Sequence, residues 1–338
     1  MKEYLIIYHK EDNDGVFSAA IFYDYLVNVL KYKLEDLYFM GADYNDLSKF
    51  VNDNPVKELH KDFKHIIMTD ISFNDAKYMK ALWKEFGHDF IWCDHHAPII
   101  KASFENRFDD IPGIRDTGRS AILCAWKFLY DQFDEEYNNK KVPELLRILS
   151  AWDSWTYEKE GYNFEFVRDV NKGVTNQYNL NLGHVEKLIE IIRLYHKNNM
   201  GDTDIINDMQ SIGHVINEYE DRTMENIVKN SGDCSWKVII NDENGKPLIR
   251  TACTIFHQGS SNSTMFKSLI GKGIEQGLVF KHQPNGNWVL SMYNIYDNTD
   301  FHCGEFLKEK YNGGGHKGAA GCTLTQEQFI KILENKTI

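Results

Sequence analysis

Three short apolar runs near the start of this chain each end on acidic or imidazole side chains, and no other feature constrains its fold as tightly. Glu3 to Tyr8 leads into His9-Lys10-Glu11-Asp12-Asn13-Asp14-Gly15, His65 to Thr69 ends at Asp70, and Phe90 to Cys93 ends at Asp94-His95-His96. A further strand-like run covers Leu37 to Gly41. Stretches of helical spacing alternate with these runs, over Gly15 to Lys31, Asp75 to Phe86, Ala121 to Phe133 and Pro143 to Trp155. That alternation predicts an α/β domain with a parallel sheet flanked by helices. In an open parallel sheet, residues just past the carboxyl ends of the strands converge on the crevice where ligands bind.

Beyond that first region the pattern changes twice. From about Leu180 to Lys229 it is helical and charged, with a break near Asn198-Asn199-Met200-Gly201, which reads as a connector. After Ser231-Gly232-Asp233, strand-like runs follow at Trp236 to Ile240, Leu248 to Phe256, Gly277 to Lys281 and Trp288 to Tyr293. Helical stretches at Met265 to Ile270 and His302 to Tyr311 complete a smaller α/β domain. A chain of 338 residues has room for two such cores.

Composition then removes several function classes. The net charge of −12 repels phosphate polymers, which argues against a protein that coats long nucleic acid; a nucleotide-sized substrate remains compatible if bound cations supply local positive charge. The apolar runs are too short to span a bilayer, and Lys2-Glu3 leads straight into a strand without a signal-peptide pattern, so a cytoplasmic location is expected. The six cysteines are scattered without a C-x-x-C pair, which predicts reduced thiols in the core in place of a zinc site or disulfide framework.

Each piece of the acidic and histidine set has an ordinary explanation by itself. Asp12 and Asp14 fit a helix cap, Asp70 a turn, and His95-His96 a surface loop. Together with Asp153, in Ala151-Trp152-Asp153-Ser154-Trp155, they supply carboxylates and imidazoles from several elements, a donor set suited to Mn²⁺ or a similar ion. The order His9…Asp12-x-Asp14-Gly15, Asp70, Asp94-His95-His96 and Asp153 resembles the motif series of DHH phosphoesterases. Gly313-Gly314-Gly315-His316-Lys317-Gly318-Ala319-Ala320-Gly321 resembles the G-G-G-H-x-x-A-A-G hallmark of the associated DHHA1 domain. Within the family the chain is most similar to nano-RNases, including the NrnB-like branch, and to dinucleotide phosphodiesterases. Only two residues separate His9 from Asp12, one fewer than in some members, which leaves Glu11 and Asp12 as alternatives; the D-x-D-G unit favours Asp12.

The resemblance implies a DHH catalytic domain over 1–178, a helical connector over 179–231 and a DHHA1 substrate-binding domain over 232–338. It implies two divalent ions, Mn²⁺ being favoured over Mg²⁺ or Co²⁺. One would sit on His9, Asp12 and Asp70, the other on Asp14, Asp70, His95 and Asp153. His96 would contact the phosphate or assist the leaving group, and Asp94 would orient a histidine ligand. Gly313, Gly314, Gly315 and His316 would grip the far end of the substrate, because glycine lets backbone N–H groups approach an anion closely; a tight turn before a strand is the plainer explanation of the same glycines.

Arg119, at a predicted helix start, is a weaker phosphate-binding candidate. The polar loop His257 to Ser263 reads as an ordinary loop, and Trp126, Trp152 and Trp155, at helical spacing, read as core. The function implied is Mn²⁺-dependent hydrolysis of short oligonucleotides or linear dinucleotides to nucleoside 5′-monophosphates. The alternatives are a cyclic-dinucleotide phosphodiesterase, a 3′-phosphoadenosine 5′-phosphate phosphatase, or a non-catalytic nucleotide-binding protein. Expected partners are a nucleotide or short oligonucleotide, with neither membrane nor long nucleic-acid tract; a homodimer is compatible with the sequence.

Overall fold

The strand-and-helix alternation of the first region is realised as a four-stranded sheet in which every strand runs parallel to its neighbours, in the order β2-β1-β3-β4. The structure is a computed structural model that describes residues 2–73, 75–131, 142–241, 246–259, 261, 263–295, 301–315 and 317–338. His316, and Ser260 and Asn262 of the polar loop, lie outside the described residues. The elements of this half are β1 (Lys2–His9), α1 (Asn13–Tyr23), β2 (Leu37–Ala42), α2 (Tyr44–Asp53), α3 (Val56–Asp62), β3 (Phe63–Thr69), α4 (Ala76–Phe86), β4 (Phe90–Cys93), α5 (Ala97–Asn106), α6 (Ala121–Trp126), α7 (Glu144–Asp153), α8 (Phe164–Tyr178) and α9 (Leu182–Lys197). A long helix, α10 (Thr203–Ser231), follows.

Side chains on a strand alternate between the two faces of its sheet, and here both faces are covered. Tyr4, Ile6, Ile67 and Cys93 join a core with Phe17 and Ile21 of α1, Ile122 and Trp126 of α6, and Leu188 and Ile192 of α9. Leu5, Ile7, Ile66, Met68 and Trp92 belong to a second core with Met79 and Leu82 of α4 and Ile99 of α5. The buried stretches of β1 and β3, Tyr4 to Ile7 and Ile66 to Thr69, are nearly all apolar, and the acidic and imidazole groups gather past their carboxyl ends.

The chain divides into two compact units, Met1–Asn217 and Glu218–Ile338. The first takes in α9 and the opening half of α10. The second is built on a six-stranded mixed sheet, β5 (Asp233–Asn241), β6 (Pro247–Phe256), β7 (Gln276–His282), β8 (Trp288–Asn294), β9 (Gly314–Gly315) and β10 (Ala319–Leu324), in the order β5-β6-β7-β8-β10-β9. Helices α11 (Cys303–Tyr311) and α12 (Gln326–Asn335) belong to it, and Phe306, Leu307, Phe329 and Ile332 pack with Trp236, Leu278, Phe280 and Leu290. The chain is thus a mixed α/β protein with a helix-flanked parallel sheet and a second sheet in its C-terminal part. All six cysteines are free thiols, and all but Cys234 are buried.

The glycine-rich hallmark takes a definite form. Gly314 and Gly315 pair with Gly321 and Ala320 as the two rungs of a short antiparallel ladder. A Cβ on Gly313 would stand 2.5 Å from the Gly321 carbonyl oxygen, and one on Gly304 of α11 would stand 2.2 Å from that of Gly315. Glycine is required here because backbones touch.

Candidate metal centre

With strand order β2-β1-β3-β4, the chain leaves β1 to opposite sides of the sheet, so the topological switch falls between β1 and β3. A parallel sheet binds ligands at the carboxyl ends of such strands. His9 ends β1, and Asp70 directly follows β3. Asp94, His95 and His96 follow β4, and Asp153 closes α7.

The link from β1 to α1 is compressed. Asp12 caps α1, its carboxylate accepting a hydrogen bond from the Gly15 N–H at 2.9 Å. A Cβ on Gly15 would lie 2.0 Å from the His9 carbonyl oxygen, so the glycine of D-x-D-G is fixed by the close approach of helix to strand end. The His9 ring is oriented by Nδ1, 3.4 Å from the Ala42 carbonyl of β2. Donation through Nδ1 leaves Nε2 as the ligating atom, and it lies 3.5 Å from Asp12 Oδ2.

His95 Nε2 stands among three carboxylates: 3.3 Å from Asp70 Oδ1, 3.5 Å from Asp153 Oδ2 and 3.7 Å from Asp14 Oδ2. Asp70 adopts a left-handed backbone with φ of 57°, a conformation in which Asp is over-represented among non-glycine residues, and its N–H donates to the Cys93 carbonyl at 3.0 Å. Asp14 is buried, and its two oxygens accept the N–H groups of Ala121 (2.7 Å) and Ile122 (2.9 Å) at the start of α6. A carboxylate oxygen offers more than one lone pair, so this helix cap and a metal bond are compatible.

Charge in the cluster is unbalanced. Burial, and then the charges of Asp14, Asp12, Asp153 and Asp94, push the Asp70 carboxyl well above the ordinary carboxylate range. Asp153 is pushed up to about 9, by burial and then by Asp14 and Asp12. Asp70 Oδ1 and Asp153 Oδ2 are buried without a well-formed hydrogen bond. These two orphaned oxygens face one imidazole nitrogen, among carboxylates that cannot all ionise unaided. That is the arrangement a divalent cation relieves, so the residues fit one. Among the described residues two groups are close enough to share an ion: Asp14, His95 and Asp153, and Asp70, His95 and His96.

Asp94 is fully buried and orients the neighbouring histidine that was not expected to ligate. Its Oδ1 accepts from His96 Nδ1 at 2.7 Å and from the backbone N–H groups of His95 (2.7 Å) and His96 (3.1 Å). Its Oδ2 accepts from the Trp92 indole at 2.9 Å. Burial opposes the Asp94 charge, yet the bonds from His96 and Trp92 hold its carboxyl below the usual range. Burial would also lower the His96 imidazole, but Asp94 outweighs it and keeps the ring protonated to higher pH.

Other expectations need correction. Arg119 precedes the start of α6, where the N–H groups of Ala121 and Ile122 are taken by Asp14, and its guanidinium pairs with Asp116 at 3.1 Å. Trp126 is core, but Trp155 is 67% exposed and Trp152 only partly buried. Tyr44 escaped notice in the sequence. It opens α2 just past β2, its ring centroid is 6.2 Å from that of His9, and burial with the charges of Asp94, Asp70 and Asp12 pushes its hydroxyl up to about 12. The signal that would have found it is position, since it follows a strand end as the other site residues do. A cavity of about 180 Å³ adjoins the centre, lined by Asp12, Asp14, Trp152, Asp153, Asn171 and Thr175 among others.

No curated protein matches the sequence. Among solved structures, a DHH domain described as a member of the s1p family of ribosomal proteins aligns over 99% of this chain and 85% of its own, at 14% identity and TM-score 0.53, and shares the fold. A pGpG-specific phosphodiesterase from Vibrio cholerae aligns over 98% of this chain and 97% of its own, with 12% identity and TM-score 0.49. RecJ from Thermus thermophilus, in complex with Mg²⁺, aligns over 99% of this chain and 49% of its own, with 12% identity and TM-score 0.45. Residues 3–151, which carry every proposed metal ligand but Asp153, match the DHH family, N-terminal domain. That match, which takes in less than half of the 338 residues, makes the N-terminal part of the chain similar to the DHH family, N-terminal domain.

Proposed function

We propose that this chain is a Mn²⁺-dependent phosphodiesterase that hydrolyses short oligonucleotides or linear dinucleotides to nucleoside 5′-monophosphates. The observation that carries the reading is the meeting of Asp14, Asp70 and Asp153 around His95 Nε2, with two carboxylate oxygens buried and orphaned. His9, Asp12 and Asp70 would hold one cation, and Asp14, Asp70, His95 and Asp153 a second. Divalent cations bound there offset charge on the phosphoryl oxygens and lower the pKa of water.

The chain's own groups do the rest. His9 is kept in one tautomer by the Ala42 carbonyl, so its Nε2 faces the site. His96, anchored through Nδ1 to Asp94, has Nε2 left for the phosphate or for the leaving oxygen, to which it can give a proton. The net charge of −12 provides no basic track for a long strand, which favours a short substrate. The second unit is proposed as the DHHA1-type substrate module, with Gly313, Gly314, Gly315 and His316 as substrate contacts.

The test is hydrolysis of pApA, a long RNA, 3′-phosphoadenosine 5′-phosphate, cyclic di-AMP and pyrophosphate, with Mn²⁺ and with EDTA. AMP release from pApA is expected with Mn²⁺ alone, and Asp70→Ala and His95→Ala should each abolish it. Preference for another substrate would replace the substrate assignment. Absence of turnover on the whole panel would sink the reading.

A further inference from the structure

The last turn of α7 holds a residue that the fold itself does not explain. The Trp155 N–H donates to the Trp152 carbonyl (3.4 Å) and the Thr156 N–H to the Ala151 carbonyl (3.0 Å), the paired bonds of a Schellman helix end. In that motif the residue past the cap is left-handed, and glycine is the usual choice because it adopts positive φ freely. Here that position is Trp155, at φ of 55°. Burial does not repay the strained backbone, since the ring is 67% exposed.

The surroundings hold this exposed ring in place. Trp152 stacks against it with centroids 6.1 Å apart and planes 24° from parallel, and Tyr157 lies 6.3 Å away. The turn is locked by Ser154, whose Oγ donates to the Ser150 carbonyl at 2.7 Å. Trp152 also lines the cavity shared with Asp12, Asp14 and Asp153, so the aromatic pair begins where the acidic cluster ends. A single residue, Ser154, separates Trp155 from Asp153 along the chain.

We infer that Trp155, backed by Trp152, is the stacking platform for the nucleobase next to the scissile phosphate. The inference rests on the nucleotide reading proposed above and narrows it. A ring face accepts every base, so the site takes nucleotides of any base in preference to inorganic phosphoanhydrides. Stacking also supplies affinity that a chain of net charge −12 cannot draw from basic side chains.

The experiment is calorimetric titration of AMP and of ribose 5-phosphate, in Mn²⁺, into the wild type, Trp155→Gly and Trp155→Phe. AMP should bind roughly ten- to a hundredfold more weakly to Trp155→Gly, the range set by losing one stacked base. Trp155→Phe should keep most of the affinity, and ribose 5-phosphate should bind all three alike. Because glycine suits the left-handed position, the thermal midpoint of Trp155→Gly should equal or exceed that of the wild type. Equal AMP affinity in wild type and Trp155→Gly would overturn the proposal, as would parallel loss of both ligands or a lowered midpoint for Trp155→Gly with AMP affinity also lost in Trp155→Phe. Hydrolysis of pApA separates the two claims. Base-dependent binding without turnover sinks the phosphodiesterase reading and leaves the platform, whereas turnover with base-blind binding sinks the platform alone.

Discussion

Asp153 shows at the scale of one residue how this centre sets stability against function. Metal-free, its carboxyl keeps its proton up to about 9 because burial and the neighbouring Asp14 and Asp12 charges oppose ionisation. A carboxyl raised in the folded state gives stability that is fully present below its ordinary value of 3.8 and is lost as pH rises towards about 9. The metal-free wild type should therefore melt at falling temperature as the pH of an EDTA-containing buffer rises through that window. Asp153→Asn should flatten that dependence, melt higher than the wild type in EDTA at alkaline pH, and lose the gain that Mn²⁺ gives the wild type. Thermal scans with EDTA and with Mn²⁺ measure all three, and a variant that melts lower than the wild type without metal would refute the account. His9, Asp12, Asp14, Asp70, His95 and Asp153 were legible as candidates because they stand in strand-end or motif positions, and of these the structure gathers Asp14, Asp70 and Asp153 around His95. Legibility stopped at Trp155, whose spacing reads as helical core, since a left-handed turn at a tryptophan leaves no mark in the periodicity.

Helices are held by polar ties as well as by their apolar faces. Asp24, which follows α1 and is fully buried, accepts from Tyr130 Oη at 2.7 Å and from Asn28 Nδ2 at 2.9 Å, and it pairs with Arg193 of α9 at 2.5 Å. Removing one partner of a buried ion pair leaves an uncompensated charge, so Arg193→Ala should cost about 3 kcal/mol. Denaturant titration will read that as a lower midpoint, and a change below about 0.5 kcal/mol would show that Tyr130 and Asn28 suffice. Strands β1 to β8 and helices α1, α4, α7, α9 and α10 were readable because β-branched runs and 3.6-residue spacing are strong over their length, whereas the 15-residue α8 was not read. Several short elements were not read either. Helix α2 begins at an Asp43–Asp46 capping box and α12 at a Thr325–Gln328 box, so their start signals were present. Helix α5 was hidden because Ala97-Pro98 looks like a loop until the proline is placed in the first turn, where its missing N–H costs nothing.

Among the described residues, the groups close enough to share a metal ion lie in one unit. Met1–Asn217 and Glu218–Ile338 each have cores of their own, and every residue proposed as a metal ligand lies in the first. Calorimetry should then resolve two unfolding transitions, of which Mn²⁺ raises one, because a ligand stabilises the unit that binds it. A single transition shifted as a whole would mean that the units unfold together. The sequence marks a change of pattern after Ser231, whereas the compact units divide at Asn217 and Glu218 within α10, and the place of α9 was not legible either. Its charged surface reads as a connector, while Val185, Leu188, Ile189 and Ile192 bury in the first unit's core.

The second sheet also shows how its rims are closed. At one side lies β9, only two residues long. At the other, Lys336 and Ile338 exchange backbone hydrogen bonds with Lys237 and Ile239 of β5, so that residues 336–338 run alongside the strand as a sealing strip. A bare strand rim is a template on which another polypeptide can extend the sheet, and proteins keep such rims short or covered. Residues 336–338 therefore guard that rim against self-templated aggregation, and substituting prolines along them would bare a sticky edge.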